Sequence, residues 1–173
     1  MILKGNQRGN GRELANHLMR GKENEHIELH DLRGFAAEDL HGALQEAEAI
    51  AKGTRCKNHL FSLSLNPPQD EQVSVETFEL AISRIEGELG LEGQPRAIVF
   101  HEKEGRRHCH AVWSRIDGQR MKAIKLDFYK RNLNGIARDL YREHGWEMPK
   151  GFRDVGARDP LSFSRHEWQQ AKR

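Results

Sequence analysis

Residues 100–113 read Phe100-His101-Glu102-Lys103-Glu104-Gly105-Arg106-Arg107-His108-Cys109-His110-Ala111-Val112-Trp113. The run Arg96–His101, opened by Pro95, is rich in apolar residues, and so is Arg107–Ile116. Between them Glu102–Arg106 is a charged turn with a glycine in it. Two such runs around a short polar turn predict a β-hairpin over 96–116. Side chains alternate faces along a strand. His108 and His110 therefore share a face, and the hairpin returns His101 beside them. Three imidazoles converging on one sheet face form a tridentate site with positions left open for water and substrate. Imidazole suits several divalent first-row metals, and an open metal site polarises a bound phosphate during displacement. Cys109 and Trp113 fall on the opposite face, which predicts core residues rather than ligands.

The segments outside the hairpin set the fold class. Residues 11–20 space Leu14, Leu18 and Met19 at helical intervals, and residues 25–30 alternate as a short strand. Residues 37–52 predict an amphipathic helix with Leu40, Leu44, Ala47 and Ala51 on one stripe, stopped at Gly53. Residues 58–65 predict a strand ended by Asn66-Pro67-Pro68. Ser74 reads as an N-cap for a helix Val75–Leu89 that ends at Gly90. Asp117-Gly118 signals a turn, and Asp127 reads as the cap of a helix to about Glu143, ended by His144-Gly145. Residues 146–161 read as an irregular crossing, and Ser164–Arg173 restarts a helical pattern. Strands interleaved with helices, with at least one hairpin, predict an α+β fold: an antiparallel β-sheet flanked by helices. The helical pattern that stops at Arg173 predicts one domain over 1–173 at the N-terminal end of a longer protein.

Composition narrows the classes. The 173 residues are 36% hydrophobic and 31% charged, and no run of about 18 apolar residues occurs. The start, Met1-Ile2-Leu3-Lys4-Gly5-Asn6, turns polar too soon for a signal peptide. The expectation is a cytoplasmic protein with no membrane insertion. Two cysteines, Cys56 and Cys109, are too few for a disulfide scaffold or a Cys-rich zinc site. A net charge of +2 does not by itself announce a nucleic-acid binder, but distribution matters more than the sum. Segment 69–104 is mostly acidic. Arg106, Arg107, Arg115, Arg120, Lys122, Lys125, Lys130, Arg131 and Arg138 crowd into 106–138.

At the three histidines the sequence resembles the HUH endonucleases, and in its fuller pattern the relaxase/mobilisation nuclease family within them. That pattern is a strand ending Ser-X-X-Pro, a helix, a strand ending in His, a short turn, and a His-X-His strand closing on a polar turn. The matching pieces are Phe61-Ser62-Leu63-Ser64-Leu65-Asn66-Pro67, the helix 75–89, Val99-Phe100-His101, His108-Cys109-His110 and Ser114-Arg115-Ile116-Asp117. The resemblance spans about residues 10–145. It implies a plasmid mobilisation relaxase that binds single-stranded DNA at an origin of transfer and nicks one strand by metal-assisted transesterification. A protein side chain stays joined to the DNA 5′ phosphate, so that the ends can later be rejoined. The implied cofactor is a divalent metal ion, Mn2+ or Mg2+, on His101, His108 and His110. The implied partners are the origin DNA, accessory relaxosome proteins and a coupling protein.

The family's usual nucleophile is a tyrosine in the first helix, and this chain has no tyrosine before Tyr129. His17 stands in its place. A neutral imidazole nitrogen attacks phosphorus to give a labile phosphoramidate, and relatives are known that use histidine in this way. The resemblance also places Glu71 where an acidic residue orients the nucleophile or takes its proton, and Ser64 where a serine contacts DNA. Arg106, Arg107 and Arg115 read as phosphate contacts beside the metal. His26 and His30 are rival nucleophiles, His59 is set apart by its parity, and Tyr141 reads as core. Competing readings are a rolling-circle replication initiator or single-strand transposase of the same superfamily, with Tyr129 or Tyr141 as nucleophile. A non-catalytic single-stranded nucleic-acid-binding module is another. A structural zinc site is a third, but three histidines without a fourth ligand suit catalysis better.

Overall fold

In chain order the computed structural model contains β1 (Ile2–Arg8), α1 (Gly11–Leu18), β2 (His26–Arg33), α2 (Leu40–Ala51), β3 (Leu60–Asn66), α3 (Val75–Leu89), β4 (Arg96–Lys103), β5 (Arg106–Ser114), β6 (Ile116–Asp117), β7 (Lys122–Ala123) and α4 (Tyr129–Glu143). It describes residues 1–20, 25–149 and Phe152. Five strands form one antiparallel sheet in the order β1-β3-β5-β4-β2, and β6 pairs with β7 apart from it. This is the α+β architecture that the sequence predicts. The expected helix Ser164–Arg173 and nearly all of 150–161 lie outside the described residues. Among the described residues no helix is long and apolar enough to cross a membrane.

Period-two alternation splits the core into two layers. Phe61, Leu63, Leu65, Ile98, Phe100, Cys109, Ala111 and Trp113 face α3 and α4 and pack on Phe78, Ile82, Ile85 and Leu133. Leu60, Ala97, Val99 and Val112 face the other way, under Leu14, Ala15 and Leu18 of α1 and Leu40, Leu44 and Ala47 of α2. Each sheet face is therefore covered by an amphipathic helix pair. The pair α1/α2 packs tightly because of Gly11: a Cβ there would stand 2.9 Å from the carbonyl oxygen of Leu44.

The hairpin β4–β5 closes through Glu104 and Gly105, whose φ values are +53° and +68°. Positive φ at both central residues matches the right-handed twist of the flanking strands. The strands consequently run closer to the turn than the charges suggest, pairing Lys103 with Arg106. Ser74 caps α3 by accepting from Thr77 N at 3.4 Å, and Gly90 ends it in the left-handed conformation, as predicted.

Two local features depart from the sequence reading for physical reasons. β1 was not foreseen: it is an edge strand of polar residues, and Gly5 and Gln7 remove the apolar half of its alternation. Asp127 does not cap α4. The N-cap position is Phe128, at φ +54°, with no side-chain hydrogen bond. The turn expected at Asp117-Gly118 is present as the loop of the small β6–β7 hairpin, in which Asp117 Oδ1 accepts from the backbone N–H groups of Gln119 and Arg120.

Glu86 ties the sheet to α3. It is 5% exposed, and its Oε1 accepts from Trp113 Nε1 at 2.7 Å, Arg33 Nη2 at 2.8 Å and Arg96 Nη1 at 3.0 Å. Arg96 in turn donates to Asp31 Oδ2 at 2.6 Å. Removing one member of such a network strands the others' charges and donors in the interior. Glu86→Ala is expected to lower the unfolding free energy by about 3 kcal/mol, measured by urea denaturation, with the site at the other end of the sheet unaffected.

Candidate functional site

Register decides which side chains meet. His101 lies directly opposite His108, and His110 lies opposite Val99 on one side and Ser64 on the other. All project on the face covered by α1 and α2. The ring centroids are 4.7 Å apart for His101–His110, 5.1 Å for His101–His108 and 5.3 Å for His108–His110. One ligand nitrogen from each lies within 4.8 Å of the others. The predicted convergence of the three histidines is thus what the hairpin builds.

α1 closes over this cluster. The carbonyl of Leu18, in its last turn, accepts from His101 Nε2 at 2.7 Å. A carbonyl only accepts, so Nε2 carries the proton and Nδ1 holds the ring's lone pair. An outer hydrogen bond of this kind fixes ring and tautomer in histidines that bind metals. His101 is buried, whereas His108 and His110 are half-exposed, so the cluster opens to one side.

The electrostatics suit a cation. Burial lowers His108 to about 4, aided by the neighbouring charges of His101, Arg106 and Lys103. Burial likewise lowers His110 to about 3, aided by His101, His108, His17 and Arg8. His101 is lowered by burial, against the stabilising hydrogen bond to Leu18, with His17 adding to the shift. Three rings that resist protonation present three neutral nitrogen donors at neutral pH, which is what a divalent ion requires.

The remaining predicted residues distribute unevenly. His17 is an exposed residue of α1 next to Leu18, and its charge acts on both His101 and His110. Ser64 stands beside His110 on the same face and accepts from Asn66 Nδ2 at 3.2 Å. Arg106 shares the strand face of His108. Arg107 projects to the other face, with its guanidinium 5.6 Å from the Phe100 ring centroid and 3.9 Å from Glu102. Glu71 lines a cavity of about 470 Å³ with Glu102, Arg106 and Arg107, at the hairpin turn. Arg115 is not beside the cluster. It is 7% exposed at the far end of β5, where it donates to Gln7 Oε1, Asn58 O and Ile124 O at 2.6–2.7 Å. Its work is to join β1 and the segment after β7 to the sheet.

The rivals of His17 lie elsewhere. Tyr129 packs edge-on against Phe61 at 5.4 Å, and Tyr141 is 2% exposed within α4, so both phenols are on the opposite side of the sheet from the histidines. His30 packs edge-on against Phe100 at 5.0 Å and donates to Glu79, also on the α3 side. The register places His26 on that side too, opposite Glu102. His59 is buried at the start of β3. Cys109 and Trp113 are core, as predicted, and burial raises the Cys109 thiol far above its usual range.

Sequence reasoning missed the floor of the site. β1 places Lys4 opposite Ser64 and Asn6 opposite Ser62, so Lys4, Ser64 and His110 form one row across the sheet. Lys4, Asn6 and Arg8 are exposed, and among the described residues the apolar cluster under α1 and α2 does not include that part of the face. The signal was there in the polar residues at positions 4, 6 and 8.

Residues 14–146 match the family described as Relaxase: MobA/VirD2-like, nuclease domain. Solved structures of similar fold are Mn-bound crystals of the MobM relaxase domain (MOBV; Mob_Pre) with plasmid pMV158 oriT DNA. One, with a 22-nucleotide DNA bearing a 3′ thiophosphate, is 14% identical with a TM-score of 0.52 and covers 100% of both chains. Another, with a 22-nucleotide DNA, is 16% identical with a TM-score of 0.51 and covers 98% of this chain and 100% of that one. No curated protein matches the chain.

Proposed function

Because the chain belongs to the relaxase family of MobA/VirD2-like nuclease domains, we propose that it nicks one DNA strand at an origin of transfer, with His17 as nucleophile. The observation that carries this reading is the placement of α1: the helix whose Leu18 carbonyl holds His101 also presents an exposed His17 to the same cluster. His101, His108 and His110 hold a divalent ion, Mn2+ or Mg2+. When bound, that ion neutralises charge on the non-bridging oxygens of the scissile phosphate. A lone pair on one His17 nitrogen forms an N–P bond, and the P–O3′ bond breaks. The freed 3′ oxygen gains one proton, and the ring loses one from its other nitrogen. Glu71 is the carboxylate that the family pattern assigns to pass or hold that proton. Ser64, Lys4 and Arg106 line the approach of the strand.

The domain 1–173 acts within a mobilisation protein, with accessory relaxosome proteins and a coupling protein as partners. The replication-initiator reading needs a phenol at the cluster, and both tyrosines lie across the sheet from it. The test uses single-stranded oligonucleotides tiling the DNA around the coding sequence, with Mn2+ and with chelator. Tyr129→Phe and Tyr141→Phe are expected to cleave within about twofold of the parent. Loss of cleavage in either variant, with the fold intact by circular dichroism, contradicts the assignment.

A further inference from the structure

Phe128 is 80% exposed, far more than any other large apolar residue among the described residues except Leu80 at 72%. Its backbone is also in the left-handed region, at φ +54°. A bulky residue there is strained, and solvent exposure returns nothing to the fold. Its neighbours in sequence are basic: segment 120–131 carries Arg120, Lys122, Lys125, Lys130 and Arg131 against one acid, Asp127.

The segment sits at the end of a path from the metal cluster. The exposed row Lys4, Asn6, Arg8 runs along edge strand β1 from the level of His110 to the level of Leu60. At that end, Arg115 binds both Gln7 and the carbonyl of Ile124, and Tyr129 packs on Phe61, the strand partner of Gln7. These contacts lie on the α3/α4 face, so Phe128 stands at that end of β1 but across the sheet edge from the polar row. Cations along a track with an exposed ring beside it are the pattern that holds single-stranded nucleic acid: phosphates on the cations, a base on the ring.

We propose that DNA leaving the cluster runs along β1 past Lys4 and Arg8, turns over this exposed sheet edge and stacks a base on Phe128. This rests on the relaxase reading, and the experiment separates the two. The probe is a 5′-fluorescein 24-mer of mixed sequence, single-stranded, titrated by anisotropy with Mn2+-loaded protein between 50 and 200 mM salt. Phe128→Gly is expected to weaken binding by about 5- to 30-fold, the loss of one stacked base, with the salt dependence unchanged. The same substitution is expected to raise Tm, because glycine adopts positive φ without strain. A residue kept for structure moves both readouts the same way; here they move oppositely. The Lys4→Ala, Arg8→Ala double variant is expected to reduce the salt slope by about 1.4, about 0.7 per phosphate contact. Parent-like affinity in Phe128→Gly, with the parent binding well, overturns this proposal and leaves the relaxase reading intact. Absence of single-strand binding by the parent overturns both.

Discussion

Replacing His17 by alanine is expected to abolish strand cleavage and the covalent adduct, a loss of at least about 10³-fold in rate. Single-strand binding is expected to stay within about twofold. The expectation follows from division of labour in the site. His17 is exposed at the surface of α1, whereas Leu14, Ala15 and Leu18 anchor that helix, so removing the imidazole leaves the helix seated. The Leu18 carbonyl, which orients His101, is a backbone group and survives the change. What disappears is the nitrogen that forms the bond to phosphorus. Neither phenol substitutes for it from the far side of the sheet. Mn2+ binding, followed by calorimetry, is expected to persist. A variant that loses metal and cleavage together places His17 among the ligands instead.

The second large effect concerns the ion. Chelation, or His110→Ala, is expected to reduce cleavage by at least about 10²-fold, since the scissile phosphate then lacks the charge that stabilises displacement. The same loss has a thermodynamic signature. A ligand that binds only the folded state at 100 times its Kd stabilises by about 2.7 kcal/mol. The parent is therefore expected to show a Tm that rises with Mn2+, and His110→Ala a Tm that does not. Burial holds His110 down to about 3, so proton competition for this donor is weak at neutral pH. His110 is the sharpest choice because it touches both the other histidines and Ser64 through the register. An unchanged metal response in that variant contradicts the three-histidine site.

The cluster was legible in the sequence because strand parity is rigid. Once 96–116 is a hairpin, His108, His110 and His101 have one arrangement, and Cys109 and Trp113 have the other. The α3 boundaries were legible for the same reason of local chemistry, Ser74 at one end and Gly90 at the other. β1 was not legible. An edge strand with one solvated face needs few apolar residues, and its pairing with β3 is a long-range fact. With β1 unseen, Lys4 and Arg8 had no place in the site. Arg115 was misplaced because proximity in sequence to the hairpin says nothing about which end of β5 carries the site. Its burial among Gln7, Asn58 and Ile124 depends on three separate segments. Phe128 displaced Asp127 at the start of α4 because the chain enters that helix through a left-handed residue, where a side-chain cap has no geometry to act.

The central claim is tested most directly by trapping the cleavage product and locating the phosphate. Protein incubated with Mn2+ and a cleavable single-stranded oligonucleotide is digested, and the nucleotide-linked peptide is sequenced by mass spectrometry before and after mild acid. A phosphoramidate on His17, released by acid and stable to base, is the predicted result. An acid-stable ester on Tyr129, Tyr141 or a serine would contradict it.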